Sequence, residues 1–183
     1  MIFYIQKKYS ICNSCLIVLF TLFVLVSCSE KKTSNKKTVS KHNFKHIKPP
    51  SFNADSAYLY IEKQVSFGPR VLSSKAWNDC GEWLEKKLKY YTPYVIIQQA
   101  PVTTYDKKEH TLRNFIASFS PNKKNRIMLC AHWDSRHIAD HDSINQNKPI
   151  LGANDGGSGV GVLLELARQL NIKEPNVGID IIL

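Results

Sequence analysis

Three side chains able to bind a divalent metal stand at short spacing. His132 and Asp134 end the apolar run that starts at Ile127, and Asp155 sits in the glycine-rich stretch Gly152-Ala-Asn-Asp-Gly-Gly-Ser-Gly159. Residues two apart on an extended segment project to the same side, so His132 and Asp134 share a face. An imidazole supplies a neutral nitrogen ligand, and a carboxylate beside it can fix its tautomer and raise its basicity. A carboxylate at Asp155 can bind one metal ion or bridge two, and the surrounding glycines let the backbone turn tightly and approach an ion or a substrate. Each piece alone has a plainer explanation. His132 could simply be bonded to its neighbouring Asp, Asp155 could cap a helix, and the glycines could form a tight loop. That loop has neither the Gly-x-Gly-x-x-Gly register nor the lysine of phosphate-binding loops. Taken together, a buried strand, His-x-Asp, a polar loop and an Asp at a glycine-rich helix start point to a metal site. His137, Asp140, His141 and Asp142 lie in the polar loop and read as solvent-exposed or substrate-facing.

The elements that must position these groups follow from hydrophobic periodicity. Asn53 can cap a helix over 54–66, with Tyr58, Ile61 and Val65 at helical spacing, and Phe67-Gly-Pro-Arg70 ends it as a turn. A second helix over 74–90 carries the stripe Ala76, Cys80, Trp83, Leu84 and Leu88. Strands are expected at 94–99 and 114–119, with 105–110 a polar connection between them. Residues 126–131 form a near-continuous apolar run, the pattern of a strand buried on both faces. A helix opening near Gly156 presents Val160, Leu163, Leu164, Ala167 and Leu170, and 177–183 is again a strand pattern. Strand, loop, helix and strand make a crossover unit, so the last two strands should lie parallel in one sheet, with a right-handed connection. The fold class is α/β, and His132 and Asp134 fall at the strand ends where ligands of open α/β sheets bind.

The ends have a different character. Lys7 and Lys8, an apolar segment over 11–26 and Leu25-Val-Ser-Cys28 form a bacterial lipoprotein signal over 1–27, cleaved before a lipidated Cys28. An uncleaved anchor is the alternative, and both tie the protein to a membrane on its non-cytoplasmic side, in the periplasm or on the cell surface. Residues 28–50 are a lysine-rich tether with too little apolar area to offset chain entropy. The net charge of +10 is therefore misleading, because nine of the 25 basic residues but only one of the 15 acids lie in the first 50 positions, leaving residues 51–183 at +2. A nucleic-acid partner is not indicated. Of the five cysteines, Cys12 and Cys15 belong to the signal, and Cys80 and Cys130 are either a disulfide permitted by export or two buried thiols.

Ala131-His-Trp-Asp-Ser-Arg136 and the run from Ile150 to Arg168 resemble the zinc aminopeptidase and glutaminyl cyclase superfamily, and within it most resemble the animal-like bacterial glutaminyl-peptide cyclotransferases. Phe67-Gly-Pro-Arg70 and Cys80-Gly-Glu-Trp-Leu-Glu-Lys-Lys-Leu88 are similar to that group's front portion. The likeness spans roughly residues 54–183 and implies a zinc-exopeptidase-like domain with a mixed central sheet flanked by helices. It implies zinc as cofactor, one ion in a cyclase and two in an aminopeptidase. In the aminopeptidases His132 and Asp155 would be metal ligands and Asp134 the catalytic carboxylate that orients the ring. In the cyclases Asp155 would be the ligand, with His132 and Asp134 behind it. Both classes also use a Glu-Glu pair and a later His. Here no Glu-Glu pair follows Asp155 and no His follows His141, so residues 51–183 are expected to be the front part of a longer catalytic domain and inactive by themselves. The resemblance implies cyclisation of N-terminal glutamine of peptides to pyroglutamate with release of ammonia. A di-zinc aminopeptidase is the alternative, and a lipid-anchored, catalytically dead binding module is the alternative of another class.

Overall fold

The computed structural model describes residues 49–183. The expected signal segment, the expected lipidation site at Cys28 and all but the last two residues of the expected tether lie outside the described residues. Helix α1 spans Ala54–Ser66 and is capped by Asn53, whose side chain accepts from the Ser56 amide. Helix α2 spans Lys75–Tyr91 behind a Ser74 cap that accepts from the Trp77 amide. Strands β1 (Val95–Thr103), β2 (Glu109–Phe119) and β3 (Arg126–Cys130) follow, then a π-helical turn at Ala153–Ser158, helix α3 (Gly159–Ile172) and strand β4 (Gly178–Ile182). The sheet order is β1-β2-β4-β3. The β1–β2 and β2–β4 pairs are antiparallel and the β3–β4 pair is parallel, so the sheet is mixed and the β3–α3–β4 crossover joins parallel neighbours as expected.

The core lies where α2 and α3 meet the sheet. Cys80, Leu84 and Leu88 of α2, Phe115 and Ala117 of β2, Val160, Leu164 and Ala167 of α3 and Ile181 of β4 have no exposed surface. The α1 stripe is shifted from its expected position, and the α2 stripe keeps Cys80, Leu84 and Leu88 while differing at its tryptophans. On α1 the buried residues are Ala57 and Gln64, while Tyr58 faces solvent. The cause is close approach to α3, where a Cβ on Gly161 would come within 2.7 Å of the Ala57 carbonyl oxygen and 2.8 Å of the Ile61 side chain. On α2, Trp77 is buried, whereas Trp83 is half-buried between Tyr60 and Phe67.

Three further expectations are corrected. The β1–β2 hairpin is longer than its apolar pattern, pairing Val95 with Ala117 at one end and Thr103 with Glu109 at the other. Its polar outer half is held by backbone bonding, with the Thr104 amide donating to the Lys108 carbonyl at 2.9 Å in the turn. Among the described residues strand β3 is the edge of the sheet, with β4 as its partner, and Ile127 and Met128 are exposed there. Finally, α3 opens at Gly159 instead of Gly156, because the preceding turn contains two residues with non-helical backbone angles. Cys80 is buried, Cys130 is exposed, and both thiols are free. Burial pushes the Cys80 thiol up to about 12, with the positive charges of Arg70 and Lys63 opposing it.

Glu165 closes the contact between α1 and α3. It is fully buried and accepts from Arg168 at 2.7 and 2.8 Å, from Gln169 at 2.9 Å and from the Asn53 amide at 3.1 Å. The Arg168 hydrogen bonds outweigh the burial cost and hold its carboxyl down at about 2, against an ordinary value of 4.5. A depressed folded-state value means stability that is present above the unfolded value and is lost as pH falls through the folded one. Urea midpoints should therefore fall between about pH 4.5 and pH 2 by an amount corresponding to roughly 3 kcal/mol from this group. Glu165→Gln should be less stable than the parent at pH 6 and should lose that part of the acid dependence.

Candidate metal centre

The end of β3 and the turn before α3 bring the three expected groups together. His132 Nε2 lies 3.1 Å from Asp155 Oδ1, and His132 Nδ1 lies 3.3 Å from Asp134 Oδ1. The imidazole is thus clasped between two carboxylates, and all three side chains are about half exposed. Arg136 adds a positive charge, its Nε 3.6 Å from the second oxygen of Asp155 and its Nη1 2.6 Å from Asp140.

Alternation along the extended segment places these groups. His132 and Asp134 point outward, while Trp133 and Ser135 are buried. The Trp133 ring stacks on Trp77 with centroids 5.0 Å apart and planes 22° apart, and it packs against Phe115 at 5.6 Å. Its indole nitrogen donates to the Arg113 carbonyl at 3.1 Å. With Trp133 anchored inward, its two neighbours must face the crevice.

Arg70, read from the sequence as part of a turn and of the Phe67-Gly-Pro-Arg70 likeness, is the group that joins the two halves of the site. It has no exposed surface. Its guanidinium donates to the Trp133 carbonyl at 2.8 Å, to Leu151 at 2.8 Å, to Gly152 at 2.8 Å and to Gln64 at 3.4 Å. The first of these carbonyls lies between His132 and Asp134, and the next two lead into the turn that carries Asp155. Burial lowers the guanidinium's proton affinity, and the nearby charge of Asp134 works in the other direction. Gln64 supports the same region, its side-chain nitrogen donating to the Gly157 carbonyl at 3.1 Å. Apart from the Phe67-Gly-Pro-Arg70 likeness, no sequence signal gives either residue a buried role, since an Arg after Gly-Pro and a Gln in a helix are ordinarily solvated.

Two glycines make the turn possible. Gly152 has φ +62° and Gly156 has φ +87°, both in the left-handed region that strains other residues. At Gly156 an added Cβ would stand 3.0 Å from two atoms of the His132 ring and 3.0 Å from the Asp134 carbonyl oxygen. Asp155 itself has extended angles, φ −76° and ψ 99°, and points out of the turn without capping α3. The loop residues behave as expected: His137, Asp140, His141 and Asp142 are exposed. His137 shares a 3.1 Å hydrogen bond with the Tyr105 hydroxyl at the tip of the β1–β2 hairpin.

The donor set suits a borderline divalent cation. Two ligand atoms about 2.0–2.1 Å from a tetrahedral ion stand roughly 3.3 Å apart, close to the separation between His132 Nε2 and Asp155 Oδ1. Asp134 bonds the other ring nitrogen and so backs the imidazole without facing the same point. Among the described residues no three His, Cys, Asp or Glu side chains converge as a complete metal cage. His132 and Asp155 can therefore supply two donors of a metal centre, with Asp134 as orienting partner. The space around this pair is tight enough to be tested at Gly156. Gly156→Ala should cost about 1–3 kcal/mol in urea unfolding, from a strained backbone angle and the collision with His132, and should shift the His132 imidazole resonances. Unchanged stability and resonances would contradict the packing described.

Residues 114–183 match peptidase family M28. Among solved structures, the glutaminyl cyclase of Tannerella forsythia is 50% identical, with a TM-score of 0.71 over 73% of this chain and 46% of that one. A zinc-dependent exopeptidase from Parabacteroides distasonis is 50% identical, with a TM-score of 0.70 over 73% and 46%. A leucine aminopeptidase precursor from Bacteroides thetaiotaomicron is 50% identical, with a TM-score of 0.72 over 74% and 48%. The chain thus spans slightly less than half the length of each of these structures. With the family match, this level of identity and the mixed sheet in common, the chain belongs to the zinc aminopeptidase and glutaminyl cyclase superfamily.

Proposed function

We propose that the whole protein is a zinc-dependent glutaminyl-peptide cyclotransferase, converting N-terminal glutamine of peptides to pyroglutamate. The observation that carries this reading is the 3.1 Å approach of His132 to Asp155 with Asp134 behind the ring, in a chain 50% identical to a bacterial glutaminyl cyclase. In the reaction the α-amine of the N-terminal residue attacks its own side-chain amide carbon. One carbon–nitrogen bond forms, another breaks, and the proton lost by the amine leaves with ammonia. Zinc, when bound, supplies a Lewis acid for that amide carbonyl. Asp155 would hold the ion, with the His132 imidazole set against its carboxylate at 3.1 Å. Asp134 would fix the tautomer of His132 and thereby act on the site through it. Because the nucleophile and the reacting carbon belong to one residue, the enzyme gains most by holding that residue in a folded, attack-ready conformation. Export and lipid attachment through Cys28 form part of this proposal and rest on the sequence alone.

The alternative is an aminopeptidase, favoured by the equally high identity to the leucine aminopeptidase precursor. There His132 and Asp155 would both be ligands and two zinc ions would be bound.

One assay pair separates the readings. The whole protein should release ammonia from a glutaminyl-peptide, lose that activity on chelation and recover it with about one equivalent of zinc. Hydrolysis of a leucyl-anilide without any ammonia release, restored by two equivalents, would replace the cyclase reading with the aminopeptidase one.

A further inference from the structure

Apolar packing is only part of what holds the Trp133 ring. Arg113 of β2 bears on it twice. Its carbonyl accepts from the Trp133 indole nitrogen at 3.1 Å. Its guanidinium carbon lies over the Trp77 ring, 5.0 Å from the centroid, and Trp77 is the ring on which Trp133 stacks. The Arg113 Nε is buried and has no hydrogen-bond partner among the described residues. A cationic group turned away from water without a hydrogen bond needs another source of attraction, and the face of an indole is the best that an aromatic ring offers.

Helix α2 leaves room for this arrangement. Trp77 and Gly81 are four residues apart and lie on one face of the helix. A Cβ on Gly81 would stand 2.9 Å from Arg113 Nη1, 3.2 Å from Trp133 Cη2 and 3.6 Å from Phe115 Cζ. The guanidinium and the edge of the Trp133 ring therefore share the notch that the missing side chain leaves. A glycine inside a helix lowers its stability relative to alanine, and the close approach of these two groups is what requires one here.

Two arginines thus grip the residue between His132 and Asp134. Arg70 holds its backbone through the carbonyl at 2.8 Å, and Arg113 holds its ring. The backbone bond fixes where the segment runs. The ring fixes its rotation, and in an extended segment that sets the direction in which the two neighbouring side chains point. We propose that Arg113 is a positioning residue for the candidate metal centre. It clamps the Trp77–Trp133 stack in the Gly81 notch and so sets how closely the His132 ring approaches Asp155. It acts through Trp133 and is not itself a donor to the ion. The inference rests on reading His132, Asp134 and Asp155 as one centre, and it holds for a cyclase and for an aminopeptidase alike.

The test follows the histidine and tryptophan resonances of the isotope-labelled full chain and measures zinc affinity by competition with a chromophoric chelator. Arg113→Gln should move the Trp133 indole and His132 imidazole resonances and weaken zinc about tenfold, the low end for losing a group that supports a metal ligand. Arg113→Lys keeps a charge over Trp77 but not the planar stack, and should weaken zinc about threefold. Gly81→Ala keeps the cation and favours the helix, yet it crowds the notch, so it should move the same two resonances. Leu88→Val, in the same core towards the other end of α2, should lower the thermal midpoint and leave both resonances and the zinc affinity as they are. Unmoved His132 resonances in folded Arg113→Gln or Gly81→Ala protein would overturn the inference, as would an equal loss of zinc affinity in Leu88→Val. Asp155→Ala checks the underlying reading separately. Zinc held as tightly without that carboxylate would remove the metal centre, and the His132 resonances would still decide the role of Arg113.

Discussion

The arrangement at the candidate metal centre depends on a single buried cation. Removing a guanidinium from water costs several kcal/mol unless its hydrogen bonds are replaced, and Arg70 replaces them with backbone carbonyls instead of a carboxylate. Those carbonyls belong to α1, to the segment carrying His132 and Asp134, and to the turn carrying Asp155. The planar fork of donors fixes three backbone segments at once, a task that a lysine's compact ammonium does not perform in the same way. The cost of burying the charge is therefore offset only when all three segments are in place. Local order at the site and the fold of the domain are coupled through this one side chain.

Around that cation, the other constraints are steric. Trp133 is drawn inward by Trp77 and Phe115, and strand alternation then turns His132 and Asp134 outward. Gly152 and Gly156 allow the turn before α3 to fold back until Asp155 meets the imidazole. The acidic and imidazole groups come from opposite sides of a loop of polar residues, so neither is placed by its own sequence neighbours. This is the physical reason why His-x-Asp and the glycine-rich segment are informative only as a pair.

Much of this was legible before the structure. The helix over 54–66, the parallel crossover and the convergence of residues 132, 134 and 155 all follow from periodicity and motif spacing, because each depends on a strong local pattern. What was not legible depends on context. Strand β3 reads as doubly buried, yet whether an apolar strand is central or peripheral is decided by its neighbours, and β4 is its one partner among the described residues. The outer half of the hairpin is polar and held by backbone bonding, so it leaves no hydrophobic signature. Tyr58 has helical spacing but lies off the face that α3 selects by close approach at Gly161. Arg70 and Gln64 are invisible to any rule that assigns polar residues to the surface.

The central claim is that Asp155 and His132 form one side of a zinc site. Anomalous diffraction from crystals grown with zinc, collected across the zinc edge, tests it most directly. The account predicts a peak at about 2.0–2.2 Å from the Asp155 carboxylate, with the His132 imidazole against that carboxylate and Asp134 behind the ring. A zinc peak bound elsewhere on the domain, with Asp155 and His132 still joined only to each other, would contradict it.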